Sequence, residues 1–248
     1  VVIRSPYAHA RIKNIDTSGA AAHPDVRAIV TYKDLAPFEP VGRTIPVGFT
    51  VNENIFASIK ALYRGHPIVA VAATSLDAAE EAASLIKIDY EPLTPVTNVE
   101  EALADDAPIV HEHWSASEDP QVLGNIAYHE QYSLGDIEKG FAEAEQVFEQ
   151  EYTTKRVHQG YIEPHSATAW WTPEDKVTIW CSSQGQFQIR DNTARIIGTT
   201  ISKVKVIPME IGGGFGGKLY AYLEPIAAVL AKKASAPVKL TMSRIEVF

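Results

Sequence analysis

The chain has 248 residues, 46% of them apolar, enough for one large domain or two ordinary ones with packed cores. Its 22 Lys and Arg against 31 Asp and Glu leave a net charge of −9, which argues against nucleic acid and anionic membrane as main partners. No run approaches the roughly 18 apolar residues of a membrane span, and no secretory signal is recognisable. The single cysteine, Cys181, excludes an intrachain disulfide and an all-cysteine metal site, so the expected compartment is cytoplasmic. Residues 1–4 start inside a strand-like run and 244–248 read as the first turn of a helix. The expectation is a piece of a longer polypeptide, or one chain of a split protein.

Taken in order, residues 4–12 read as a loop feeding a strand, with Asp16-Thr17-Ser18 capping a short helix over 19–22. Residues 26–31 alternate as a half-buried strand, and 36–60, with Pro37, Pro40, Gly42, Pro46 and Gly48, read as loop. The apolar run 68–73 reads as a central strand. Ser75 then caps a helix over 76–84, and 86–90 is the next strand, which together make a compact α+β unit. A domain boundary is placed near 108–122. Beyond it come a strand over 124–132, a helix over 136–144 and a long strand over 147–157. Residues 167–171 and 176–182 form a hairpin around Pro173-Glu174-Asp175. A helix over 188–197 stops at Gly198, and 238–242 is a late strand.

The densest signal is Glu210-Ile211-Gly212-Gly213-Gly214-Phe215-Gly216-Gly217-Lys218. It is read as a turn from a strand over 204–211 into a helix over 219–233. Five glycines let other atoms come close to the backbone, and free N–H groups at a helix N-terminus favour an anionic or oxygen-rich ligand. A dinucleotide fingerprint is incomplete, because no acid follows the strand 238–242 until Glu246. A P-loop is incomplete too, because Leu219 stands where Ser or Thr would hold magnesium. A purely structural turn is the plain alternative.

Two further stretches carry polar side chains. His158-Gln159-Gly160-Tyr161-Ile162-Glu163-Pro164-His165 could hold a metal through two His and one Glu, or be a hydrogen-bonded loop in which Gln159 and Glu163 face a polar cofactor. Ser182-Ser183-Gln184-Gly185-Gln186 either caps the helix after it or turns its amides to a ligand. No nucleophile elbow surrounds its serines, and Cys181 sits in an apolar strand as a buried thiol.

Together these stretches resemble one family, the molybdenum hydroxylases, in the large-subunit type of xanthine dehydrogenase, aldehyde oxidase and carbon monoxide dehydrogenase. Residues 211–218 resemble its Gly-Gly-Gly-Phe-Gly-Gly-Lys molybdopterin loop, 158–165 its Leu/Ile-Glu-Pro/Thr-His stretch, and Ser182-Ser183-Gln184 its Ser-Thr-Gln stretch. The opening Arg4-Ser5-Pro6-Tyr7-Ala8-His9-Ala10-Arg11-Ile12, with Asp16 and Asp34-Leu35, resembles its hammerhead domain.

The resemblance implies an α+β fold class: an α/β hammerhead domain over 1–112, then the first part of a molybdopterin-binding α+β domain over 120–248. It implies oxidation of an aldehyde or an N-heteroaromatic carbon, with water as oxygen source. The implied cofactors are molybdopterin, its cytosine dinucleotide form left open, and 2Fe-2S clusters and FAD on partner domains or subunits. Molybdenum is then held through the pterin and by no side chain. Carried over residue by residue, Gln159, Gln184, Gly213, Gly214, Phe215, Gly216 and Gly217 bind the cofactor, the amides of Gly214, Phe215 and Gly216 face it, and Phe215 also positions substrate. The implied partners are an iron–sulfur subunit, an FAD subunit, the C-terminal half of the large subunit and a small-molecule substrate. No nucleic acid and no membrane are expected.

Three departures qualify the likeness. Leu219 stands where purine-oxidising members carry Glu, so a xanthine-like substrate is in question. The family's Gln near the metal aligns with Val157, two residues before Gln159. The family's general-base Glu has no counterpart here, so the piece alone is expected to be inactive. Two other readings stay open: a nucleotide- or phosphate-binding module using residues 212–218 without redox chemistry, and a scaffold piece offering only assembly surface.

Overall fold

The computed structural model of the chain describes residues 1–37, 52–112, 124–126 and 132–248. The first half runs β1 (Val2–Arg4), β2 (Ala10–Asp16), α1 (Ser18–Ala21), β3 (Val26–Thr31), α2 (Asn52–Ile55), β4 (Lys60–Ala61), β5 (Pro67–Ala73), α3 (Leu76–Ser84), β6 (Lys87–Pro92) and α4 (Val99–Leu103). The apolar run of β5 makes it the middle strand of an antiparallel sheet ordered β1-β5-β3. Its alternation sorts its two faces. Ala70 and Ala72 join the main core, while Val69 and Val71 join two smaller clusters with Ala57, Ala20 and Ala82. The second sheet is ordered β4-β2-β6, and its Ile12, Ile15, Ile88 and Tyr90 cover Ile68 and Val69. Helix α3 begins where Ser75 Oγ accepts the Ala78 N–H at 3.2 Å.

The second half runs α5 (Ile137–Glu143), β7 (Ser166–Trp171), β8 (Val177–Cys181), α6 (Gln186–Ile196), β9 (Val204–Pro208), α7 (Glu224–Ala234), β10 (Val238–Thr241) and α8 (Arg244–Val247). Its sheet is ordered β10-β7-β8-β9. The β7–β8 hairpin turns at Asp175, which takes a positive φ of 55°. Strands β8 and β9 are parallel, and α6 is the crossover that such a pair requires. Helix α7 buries Ile226, Ala227, Ala228, Val229, Leu230 and Ala231. Its alanines let it lie between this sheet and β3 and β5, so one core joins both halves. Trp171 Nε1 donates to Ala228 O at 2.6 Å, and Lys233 Nζ reaches Ile29 O and Asp34 Oδ1 at 2.9 and 2.7 Å.

Several expectations are corrected. Strand β6 pairs with β2 and not with β5, so the strand–helix–strand unit spreads over two sheets. Residues 52–55, expected as loop, form α2, with Asn52 Nδ2 tied to Ala36 O at 2.6 Å. The strand expected over 147–157 is irregular and exposed, with Phe148, Tyr152 and Val157 all outward. Its alternating pattern finds no sheet edge among the described residues to take its N–H and C=O groups. The expected strand over 124–132 and boundary over 108–122 lie largely outside the described residues. No helix among the described residues is long and apolar enough to cross a membrane.

These contacts set an expectation for stability in the full-length protein. Ile226→Ala, inside the shared core, should destabilise by about 2–5 kcal/mol. Ser75→Ala, which removes only a cap, should cost about 1 kcal/mol. Urea-unfolding midpoints check the ranking, and equal losses would contradict a core centred on α7.

Candidate functional site

Strand β9 ends at Pro208, the Met209 N–H makes one further bond to Cys181 O of β8 at 3.0 Å, and the glycine-rich segment follows. Two side chains from elsewhere in the chain hold it. At one end the Glu163 N–H donates to Gly212 O at 3.4 Å, and the Gly212 N–H donates to Glu163 Oε2 at 2.7 Å. At the other end the Gln184 N–H donates to Lys218 O at 2.9 Å, and Gln184 Oε1 accepts the N–H groups of Gly216 and Lys218 at 3.0 and 3.2 Å. Lys218 then turns inward with a side chain that is 0% exposed, and Nζ donates to Glu163 Oε2 at 2.6 Å. The ammonium also lies 5.0 Å above the Tyr161 ring.

The glycines are explained by what surrounds them. A Cβ on Gly212 would meet Glu163 Cβ at 2.8 Å, one on Gly214 would meet Gln184 Oε1 at 2.5 Å, and one on Gly217 would meet Tyr161 Cε1 at 2.7 Å. Phe215 has a positive φ of 49°, an unfavoured conformation for a residue with a Cβ, and the residue is 73% exposed. Strain held at the tip of a clamped loop, with a large apolar ring left outside, is a mark of a functional site.

Beneath the loop lies an aromatic floor. Tyr161 is buried, and its hydroxyl shares a 2.7 Å hydrogen bond with His165 Nε2. Tyr222 meets His165 edge-on. Burial pushes the His165 pKa down to about 4, helped by the Lys218 charge, so the imidazole is neutral near pH 7. Burial opposes ionisation of Glu163, yet its bonds to Lys218 and the Gly212 N–H, with the Lys218 charge, carry its pKa below the ordinary carboxylate value. Arg244 of α8 holds the floor from below through Tyr161 O and Ile162 O. Cys181 is buried against Glu224, and burial raises both their pKa values, so this thiol is not a reactive one.

The residues singled out in the sequence converge in part. Gln159 is exposed, and its Cδ stands 3.3 Å from where a Gly217 Cβ would be. Gln159, Gln184, Gly213, Gly214, Phe215, Gly216 and Gly217 thus lie together, with Gly214 itself buried against Gln184. Three readings are corrected. The Gly216 amide is committed to Gln184, which leaves the N–H groups of Gly214 and Phe215 without a hydrogen bond among the described residues. The following helix begins at Glu224, not 219, because Pro225 fits its first turn and Glu224 answers the Tyr222 N–H there at 2.9 Å. No helix N-terminus therefore stands directly behind the loop. The metal reading of His158, Glu163 and His165 dissolves as well, since Glu163 is bound to Lys218 and His165 to Tyr161. Among the described residues no group of three or more His, Cys, Asp or Glu could hold a metal ion. Sequence reasoning misses the parts that Tyr161 and Lys218 play in the site. Lys218 is 55 residues from Glu163, and no periodicity links them.

Residues 118–248 match the family model of the molybdopterin cofactor-binding domain, and 1–94 that of the aldehyde oxidase and xanthine dehydrogenase a/b hammerhead domain. The chain belongs to the molybdenum hydroxylase family. It is 33% identical over 255 residues to the carbon monoxide dehydrogenase large chain of Afipia carboxidovorans, covering 98% of this chain and 31% of that one. It is 31% identical to the nicotinate dehydrogenase large molybdopterin subunit of Eubacterium barkeri, covering 99% of this chain and 54% of that one. Aldehyde oxidoreductase from Desulfovibrio gigas superposes with a TM-score of 0.82 at 28% identity, over 98% of this chain and 26% of that one. The chain therefore spans between about a quarter and a half of the length of these relatives. As a member of this family it is expected to meet a molybdenum cofactor, and the loop suits one. Only at Gly216 would an added Cβ find open space, whereas Gly212, Gly214 and Gly217 are packed against Glu163, Gln184 and Tyr161; the Gly214 and Phe215 N–H groups make no hydrogen bond among the described residues, and Ser182 Oγ is buried without a partner.

Two outcomes follow. His66, buried at 0% exposure, and His165 both have pKa values pushed down to about 4, below the ordinary 6.5. The unfolded chain then binds more protons between those values, so stability is fully present above pH 6.5 and is lost as pH falls towards 4. Each imidazole contributes on the order of 3 kcal/mol, read as a falling urea midpoint between about pH 6.5 and 4. Gly214→Ala should sharply lower molybdenum per chain in the full-length protein. Gly140→Ala, helical with open space around it, should leave metal content unchanged.

Proposed function

We propose that the chain is the N-terminal portion of a hydroxylase large subunit that oxidises an aldehyde or an N-heteroaromatic carbon, with water as oxygen source. The observation that carries this is the clamped glycine loop: two side chains hold it, the Gly213, Gly214 and Phe215 amides stay uncommitted among the described residues, and the Phe215 ring stands outside it. Relatives named as large or molybdenum-binding subunits support it. The hammerhead is assigned to residues 1–112 and the first part of the molybdopterin-binding domain to 120–248.

When bound, the molybdenum cofactor supplies the redox and oxygen-transfer chemistry. This chain's share is binding and orientation. Gly213, Gly214, Phe215, Gly216 and Gly217, with Gln159 and Gln184, form the surface that holds the pterin side, as molybdopterin or its cytosine dinucleotide. Phe215 lays its ring along a planar substrate. Leu219, apolar and half-buried, offers no carboxylate to a purine, which weighs against a xanthine-like substrate. The general base comes from the C-terminal half of the large subunit, and electrons leave to 2Fe-2S and FAD partners in the cytoplasm. A nucleotide-binding module is disfavoured, because the Lys218 ammonium is buried and bound to Glu163 instead of facing a phosphate.

Metal analysis of the full-length protein from its native host tests this reading. Molybdenum and iron together are expected, and neither metal in a folded preparation would overturn it. Phe215→Ala should raise KM about tenfold for the true substrate while molybdenum content holds, since a ring contact is worth roughly 1 kcal/mol or more. Unchanged kinetics would remove Phe215 from substrate positioning.

A further inference from the structure

We propose that Glu163 and Lys218 are a positioning pair that sets the conformation of the cofactor loop without themselves touching the cofactor. The inference rests on the loop being the cofactor-binding element. Its geometry is specific. One oxygen, Glu163 Oε2, takes the Gly212 N–H at 2.7 Å and the Lys218 ammonium at 2.6 Å, so a single atom ties the first glycine to the residue after the last. The intervening residues 213–217 are thereby closed into a ring, which Gln184 braces through Gly216 and Lys218 and Gly214 braces through Gly217 at 2.7 Å.

The two members of the pair are not equivalent. The Lys218 side chain is 0% exposed, with the Tyr161 ring beneath its ammonium, whereas the Glu163 side chain is 33% exposed. A buried ammonium that loses its carboxylate has no water to turn to, whereas a part-exposed carboxylate that loses its lysine does. Removing the carboxylate should therefore distort the loop more than removing the ammonium. The cation is withdrawn below the loop, so the loop surface offered to a ligand is backbone N–H and glycine, with no lysine charge on it. The same withdrawal explains how a Gly-rich segment ending in Lys can serve something other than a phosphate.

The test uses the full-length holoenzyme with Glu163→Gln, Lys218→Met and the double variant, and Lys233→Met as a control in the exposed pair with Asp34. Three readouts are taken: the rate of molybdenum loss on dialysis, the paramagnetic molybdenum signal after partial reduction, and amide exchange across residues 211–219 in cofactor-free protein. Glu163→Gln should release molybdenum about tenfold faster, change the signal and speed exchange of the loop amides. Lys218→Met should do less, and the double variant should behave better than Glu163→Gln, because no unpaired ammonium remains. Glu163→Asp, which keeps the charge, should recover part of the loss if Glu163→Gln folds poorly. Wild-type values for Glu163→Gln in all three readouts, or strictly additive effects in the double variant, would overturn the pairing. If wild-type protein itself holds no molybdenum, the cofactor reading fails instead, and amide exchange still decides whether the pair shapes the loop.

Discussion

One carboxylate oxygen governs the glycine loop. Five glycines within six residues carry more backbone entropy than any other composition would, and their order has to be imposed from outside. Glu163 imposes it by holding Gly212 and Lys218 at once, and Gln184 holds the far side. The ion pair also gives the buried ammonium the partner that water cannot supply there. Sequence, loop shape and presentation of the Gly214 and Phe215 amides form one chain of cause.

The clamp works only because its own footing is fixed. Tyr161 and His165 form a buried, neutral floor, and Arg244 ties the backbone of residues 161 and 162 to α8. Arg4 on β1 pairs with Glu246 of the same helix at 2.7 Å, so the hammerhead sheet reaches the site through one ion pair. Helix α7 does the heavier task. Its alanines allow β3 and β5 on one side and β7 on the other to share a single core, which sets the two halves at a fixed distance. A rigid platform under a strained loop suits a protein whose part in the chemistry is to orient a group that does the reacting.

Local signals are legible wherever the physics is local. The Ser75 cap, the central strand at 67–73, the β7–β8 hairpin and the stop at Gly198 all lie where side-chain chemistry and alternation put them. Expectations fail where a partner distant in sequence decides. Residues 147–157 carry a strand pattern, but a strand exists only against another, and the described residues provide none for it. Composition alone starts the helix after the loop at 219, yet Pro225 and the buried Glu224 fix its first turn later. Leu219 is spent instead beside Gly185, whose Cβ would meet Leu219 O at 3.3 Å.

The sequence by itself determined the secondary structure of most of the chain, the presence of a loop built for close approach, and the family likeness, because each is written in residue types a few positions apart. Only the tertiary structure decided which groups serve that loop. Glu163 and Lys218 are 55 residues apart, and Gln184 and Gly216 are 32 apart. Their bonds exist because β8 and β9 run parallel and deliver Gln184 and the loop at the same end of the sheet. Charge and hydrogen-bond partners of this kind depend on distances of about 3 Å, and such distances are set by packing, which no local pattern encodes.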